Sequence, residues 1–553
     1  MLNLNQAHSD FDQNFADRFC ARDVSLWAEN ESDKNEVENR LAWLDAAQTG
    51  MAIIPAVEKL LGELLLDGFT HALVLGMGGS SLAPEVFSEI FNNAVSSQRN
   101  RMELSILDST DPVQIIEKRN SLPLTKTLFI VSSKSGGTAE VNALEKYFWD
   151  ALIKVGIQFP GNHFIGITDP GTSLEKKGKE KKYRFIFQAN PNVGGRYSAL
   201  IEFGLVPAIL MGVDVRRLLG KAQKMTIDCS SYEAFANNPG VILGKQLANA
   251  YISGMDKLTI VADDEVAALG AWIEQLIAES SGKNGNGMLP IEMEPQRAPG
   301  EYYDDRIFVY QKSKGQRSEY VNKLIDLGKT VLTLESPDPY DLGAEFLRWE
   351  IATSVMCALI GVNAFNQPNV QLSKSITQEM IAAIKMKSGV IKQIPSITFN
   401  DVDIFGEFDD KNKQNMSLSE VLNEYLGQSL PGDFIAMNAF VPRNAKGVNE
   451  MQNLREVIGN KTHRPTTLGF GPRFLHSTGQ LHKGGKNNGL FLIITRENDT
   501  DLEIPGEGMT FGALQNAQAI GDMQALQQQN RRVMRLHFKS GKYTPDSIGK
   551  ILE

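Results

Sequence analysis

The sequence predicts an α/β protein built as two doubly wound, mostly parallel sheets, each a three-layer αβα sandwich. Three observations carry that reading. Short apolar, β-branched runs alternate with helix-like stretches from about residue 70 onward. The same alternation begins again near residue 257. In the first unit, glycine-rich turns join the end of a run directly to the next helical pattern, which is how βαβ units of a parallel sheet are connected.

Residues 1–60 are polar and helix-prone, with an apolar stripe in RLAWLDAA, and read as a helical N-terminal extension. The runs Ala72–Leu75, Leu104–Leu107, Leu128–Val131 and Phe164–Thr168 give the strands of a first domain, residues 61–230. Leu258–Val261, Ile307–Tyr310 and Val331–Leu334 give those of a second, residues 240–553. That domain carries an insertion over 375–465, read as helical across 375–430 with an exposed stretch at Glu407–Asn415. Strands resume at Phe434–Phe440, Leu490–Thr495 and Val533–Phe538. The basic run Glu175–Arg184 reads as a solvated helix end rather than a polyanion site.

A chain of 553 residues exceeds what one core usually organises, which supports the two-domain division. A formal charge of -10 and a pI near 5.4 argue against a nucleic-acid partner. No stretch approaches the ~20 apolar residues of a membrane span. The start of the chain lacks the basic and apolar regions of a secretory signal. The three cysteines, Cys20, Cys229 and Cys357, lie far apart without CxxC spacing, so neither a disulfide nor a zinc site is expected. A reducing, cytoplasmic compartment fits this usage.

Three segments read as one anion cradle: GMGGSS at Gly76–Ser81, SSKSGGT at Ser132–Thr138 and NVGGRYS at Asn192–Ser198. The first two follow predicted strands and open predicted helices, so backbone N–H groups and a helix N-terminus point above the strand end. Glycine lets the backbone approach a ligand closely, and hydroxyls add donors. A phosphate monoester suits such a cradle. Taken singly, each loop is as well explained as a plain turn; their coincidence in consecutive units favours binding. Arg196, in the third segment, is suited to stabilising charge that develops on a substrate oxygen. Glu279 ends the apolar helical stretch AWIEQLIAE and enters the small-residue loop SSGKNGNG, a setting for a partly desolvated general base. There is no HExxH, acidic metal cluster or complete dinucleotide fingerprint, so neither metal nor redox cofactor is expected.

The segments GMGGSSLAPE, SSKSGGTAEV, NVGGRYS and ESSGKNGNG, in this order, resemble the phosphoglucose isomerase family, whose members have two domains of the sugar-isomerase (SIS) type. NAFNQPNVQLSK at Asn363–Lys374 is similar to the family's Asn-Pro-Phe-Asp-Gln-Pro segment. The region around Gly469–Gly485 is most similar to the isomerase portion of bifunctional transaldolase–phosphoglucose isomerase proteins, and with no barrel upstream the chain reads as a free-standing isomerase half.

The resemblance implies that Gly79, Ser80, Ser133, Ser135 and Thr138, with Lys134 nearby, bind a sugar phosphate. It further implies that Arg196 stabilises an enediolate, that Glu279 moves a proton between C1 and C2, and that Lys374 and a histidine assist ring opening. The histidine departs from the family pattern. The window that usually supplies it reads RIFVYQKSK here, so His476, in HSTGQLHKGG, is the replacement and His482 the second candidate. The order Glu–Lys–His is compatible with function, since catalytic constellations are geometric. The implied activity is interconversion of glucose 6-phosphate and fructose 6-phosphate. The alternatives are a non-catalytic sugar-phosphate regulator and an isomerase acting also on mannose 6-phosphate. Family likeness implies a homodimer and leaves a monomer open.

Overall fold

Strands β1 (His71–Leu75) and β3 (Thr127–Ser132) sit side by side in the middle of the first sheet of the computed structural model. The structure describes residues 13–95, 100–369, 376, 378–382, 393–407, 416–539 and 544–552. With β2 (Glu103–Leu107), β4 (Phe164–Thr168) and β5 (Phe185–Gln188) the order is β2-β1-β3-β4-β5, parallel throughout. All six residues of β3 are buried, as expected of a strand covered by helices on both faces. From β1 the chain crosses to β2 on one side, then returns to β3 on the other. That reversal makes the β1/β3 junction the switch point where open α/β sheets hold ligands. Both hydroxyl-rich loops leave the sheet there.

The second sheet is also parallel, with order β7-β6-β8-β9: β6 (Lys257–Ala262), β7 (Leu289–Ile291), β8 (Arg306–Lys312) and β9 (Val331–Glu335). β7 is a three-residue strand containing proline, too short to give a periodic signal. Between β6 and β7 runs the helix Leu269–Ser281, buried on every side through Trp272, Ile273, Leu276 and Ile277.

The C-terminal strands expected within 240–553 do not extend this second sheet. They form a third sheet of six strands, β10-β11-β17-β14-β12-β13. Its members are β10 (Ile397–Phe399), β11 (Val402–Gly406), β12 (Phe434–Phe440), β13 (Thr466–Phe470), β14 (Gly489–Arg496) and β17 (Arg532–Phe538). A hairpin of β15 (Glu503–Ile504) and β16 (Met509–Thr510) lies outside it. The third sheet has its own core, including Ile404, Leu422, Met437, Ile494 and Leu536. The β10–β11 pair, antiparallel, replaces helix expected within 375–430. Most of the expected exposed stretch at 407–415 lies outside the described residues.

Cys20 and Cys229 form a disulfide, with Cα atoms 5.8 Å apart, contrary to the sequence expectation. Separation along the chain was the wrong guide. Phe15 and Phe19 pack on Phe235, which brings the two segments together. Cys357 is buried and free. The basic run forms the helix Ser173–Glu180 and the turn after it, but it is packed rather than freely solvated: Lys177 and Lys181 pair with the buried Glu145 at 3.3 and 2.7 Å.

Candidate active site

Close backbone approach assembles the cleft before any side chain enters it. A Cβ on Gly79 would stand 2.0 Å from the carbonyl oxygen of Gly195, so the loop after β1 lies directly on the Asn192–Ser198 turn. Gly78 has φ +54°, and a Cβ there would meet the His476 carbonyl oxygen at 2.7 Å. Only glycine accepts both constraints. Three sequence-distant segments therefore converge on one space of about 270 Å³, lined among others by Ser80, Ser135, Thr138, Arg196, Glu279 and His476.

On one wall are the hydroxyl loops. Ser80 is buried and lines the cleft, as does Gly79. Ser133 Oγ and Thr138 Oγ1 are 2.9 Å apart, and Thr138 immediately precedes the 16-residue helix Ala139–Lys154. The positive end of that helix therefore faces the cleft beside Ser135 and Thr138. Ser133 does not line the cleft; it braces Thr138. Lys134 lines it, but its ammonium is held by Asp169 Oδ2 at 2.7 Å and by the Pro191 carbonyl at 3.2 Å. Burial pushes the Lys134 ammonium below its usual range and Asp169 above its own.

Across the cleft, Arg196 Nη1 lies 3.5 Å from Glu279 Oε1, and the two side chains are 3% and 8% exposed. Arg196 Nε donates to Ser280 Oγ at 2.8 Å, and Nη2 donates to the carbonyls of Ala364 and Asn366. Glu279 ends the Leu269–Ser281 helix, as expected. One turn earlier, Gln275 Nε2 donates to Glu279 Oε2 at 3.2 Å and to the His476 carbonyl at 2.8 Å. Gln275 lines the cleft, and its Oε1 is buried without a partner among the described residues.

His476 arrives from the third unit. It ends a 3₁₀ turn (Arg473–His476) that follows β13, and its Nε2 is 2.9 Å from Glu140 Oε1. Gln518 Nε2 donates to the same carboxylate oxygen at 2.7 Å. The turn is pinned to the first unit by Arg473, which contacts Glu85 and reaches Asp108 Oδ2 at 2.9 Å. His482 is elsewhere, fully buried between Phe474 and Phe491, where burial holds its imidazole well below the usual range. Lys374 lies outside the described residues.

Sequence reasoning missed Glu140, Gln275, Arg40 and Phe365. Gln275 was discoverable, since a residue four before Glu279 shares its helix face. Arg40 comes from the N-terminal extension, whose bridge between Leu41 and Val193 no local pattern announces.

Residues 65–288 match the family described as phosphoglucose isomerase. A protein of Methanococcus maripaludis named probable glucose-6-phosphate isomerase is 27% identical over 357 residues, covering 58% of this chain and 80% of its own length. A glucose-6-phosphate isomerase of Gloeothece citriformis is 27% identical over 381 residues, covering 59% and 68%. Among solved structures, a hypothetical protein of Thermus thermophilus superposes with TM-score 0.56 at 22% identity, covering 68% of this chain and 96% of that one. A glucose-6-phosphate isomerase of Chlamydia trachomatis gives 0.52 at 17%, covering 66% and 78%. These two structures speak for the fold.

Proposed function

We propose that this chain, whose residues 65–288 match the phosphoglucose isomerase family, interconverts glucose 6-phosphate and fructose 6-phosphate by moving one proton between C1 and C2 through a cis-enediolate. The observation that carries this reading is the buried Arg196–Glu279 pair facing the hydroxyl loops across one small cleft.

The phosphate takes the wall built from Gly79, Ser80, Ser135 and Thr138 at the N-terminus of the Ala139–Lys154 helix, with Ser133 holding Thr138. Lys134 contributes positive charge beside them, moderated by Asp169. With the phosphate fixed there, the other end of the sugar reaches the Glu279 carboxylate. Glu279 takes the proton from one carbon and returns it to the neighbouring one. As the enediolate forms, negative charge grows on the sugar oxygens, and the Arg196 guanidinium stands ready without reorganising. Gln275 fixes the Glu279 carboxylate and leaves an oxygen for a sugar hydroxyl.

Ring opening needs a proton donor and acceptor near the anomeric centre. His476, steadied by Glu140, fills that role from the same chain as Glu279. Lys374 is its proposed companion. A regulator that only binds phosphosugars would need the hydroxyl loops and no buried carboxylate beside a guanidinium, so the catalytic reading is preferred. The test is an assay with fructose 6-phosphate, coupled to glucose-6-phosphate dehydrogenase and NADP. Steady NADPH formation dependent on the protein supports the assignment; none over hours, with substrate bound, leaves the binding-only role.

A further inference from the structure

Behind the Leu269–Ser281 helix, away from the proposed catalytic cleft, a second cleft of about 340 Å³ opens where all three units meet. Its floor carries Glu274, one residue before Gln275, and Glu292, directly after β7. The two come together through Gly270, one turn before Glu274: a Cβ there would stand 3.7 Å from Glu292 Oε2.

The charges around this floor do not cancel. Arg473 and Arg443 line the cleft too, but both are drawn to Glu85 and Asp108 of the first unit. Arg455, just behind, donates to the carbonyls of Glu292, Met293 and Thr466 and to the Thr466 hydroxyl. Among the described residues, the Glu274 and Glu292 carboxylates form no hydrogen bond or ion pair, although Glu274 is only 8% exposed. A buried carboxylate without a partner is costly. Ile90, Ala271, Leu468 and Phe470 give the lining an apolar part, beside the polar Glu89, Glu265 and Gln452.

We propose that this cleft binds a small organic amine, with its ammonium group seated between Glu274 and Glu292 and its hydrocarbon body against the apolar part of the lining. An ammonium supplies the missing charge and N–H donors, which a neutral or anionic ligand does not. A bare metal ion is disfavoured by the donor set: among the described residues no three metal-binding side chains converge here. Burial, and then the neighbouring Glu292, push the Glu274 carboxyl well above the usual range, and burial raises Glu292 as well. The site has a route to the catalytic cleft, because Glu274 and Gln275 are successive residues and Arg473 begins the turn that ends in His476.

The inference stands whether or not the catalytic reading does, and its test uses binding. Calorimetry on the full chain with 1,4-diaminobutane and n-butylamine, at matched ionic strength, is expected to show saturable one-to-one binding. Glu274→Gln and Glu292→Gln should each weaken it at least ~tenfold, the loss of a charge-assisted hydrogen bond. Both variants remove a carboxyl that has no hydrogen-bond partner among the described residues and should fold with unchanged or raised thermal midpoints. Non-saturating heats, affinity equal in wild type and both variants, or saturation by magnesium chloride but not by the amines would each overturn the proposal.

Discussion

Arg196 and Glu279 are held 3.5 Å apart, with both side chains almost fully buried. Their geometry is that of a poised pair rather than a closed salt bridge. The guanidinium's short contacts go to Ser280 and to the Ala364 and Asn366 carbonyls, leaving Nη1 directed at the carboxylate. Lysine in its place keeps the charge and loses the planar fork that holds these partners at once. Arg196→Lys is therefore expected to lower kcat by ~10²–10³, the size associated with removing a preorganised charge-stabilising donor. Steady-state kinetics in both directions would check this, and a loss below threefold would remove Arg196 from charge stabilisation.

His476 is tied to Glu140, which makes the two a unit. His476→Ala should reduce turnover of cyclic substrate more than exchange of the C2 proton in open-chain sugar, because only the former needs ring opening. Glu140→Gln should show the same pattern more weakly. The comparison needs coupled turnover and NMR exchange on the same preparations, and equal losses in both would count against a ring-opening role.

In the second sheet the loop after β8 gathers N–H groups around a side chain of the protein itself. Asp263 Oδ2 accepts from the N–H groups of Ser313 (2.8 Å) and Gly315 (2.6 Å), while Oδ1 accepts from the N–H of Arg317 and the Tyr310 hydroxyl. Burial pushes the Asp263 carboxyl up; the Gly315 N–H, the Tyr310 hydroxyl and the other donors outweigh it and leave it below the usual value. With the folded pKa depressed, its stabilisation is present above the unfolded value of about 3.9 and disappears as pH falls through the folded one. Asp263→Asn should be less stable near neutrality and show a flatter acid limb below about pH 4. Urea midpoints measured from pH 3 to 7 would reveal the difference.

The Cys20–Cys229 bond closes a loop across 209 residues and ties the N-terminal extension to the segment before Phe235. Cys20→Ser is expected to cost about 2–4 kcal/mol in non-reducing buffer and little when the wild type is itself reduced. Paired urea denaturations with and without dithiothreitol would distinguish the two cases.

The β1 and β3 strands and the loops after them were legible because an all-buried parallel strand is a continuous apolar run and a ligand loop is rich in glycine and hydroxyls. Glu279 and Arg196 were legible by their company in those segments, and His476 by its motif. The third sheet was not. Its strands have the same local signature as those of the second sheet, and nothing in that signature says which neighbour a strand will choose. β7 and β10, at three residues each, fall below any period. The cleft's dependence on Arg40 and Glu140, and the approach of Cys20 to Cys229, are products of tertiary packing.

Deuterium exchange tests the role of Glu279 most directly. Fructose 6-phosphate in D₂O is followed by NMR for exchange at C1 and for formation of C2-labelled glucose 6-phosphate, with wild type and with Glu279→Gln. Proton transfer by Glu279 predicts that the variant still binds the sugar phosphate while both rates fall at least ~10²-fold. Exchange at near-wild-type rates in the variant would show that another group moves the proton.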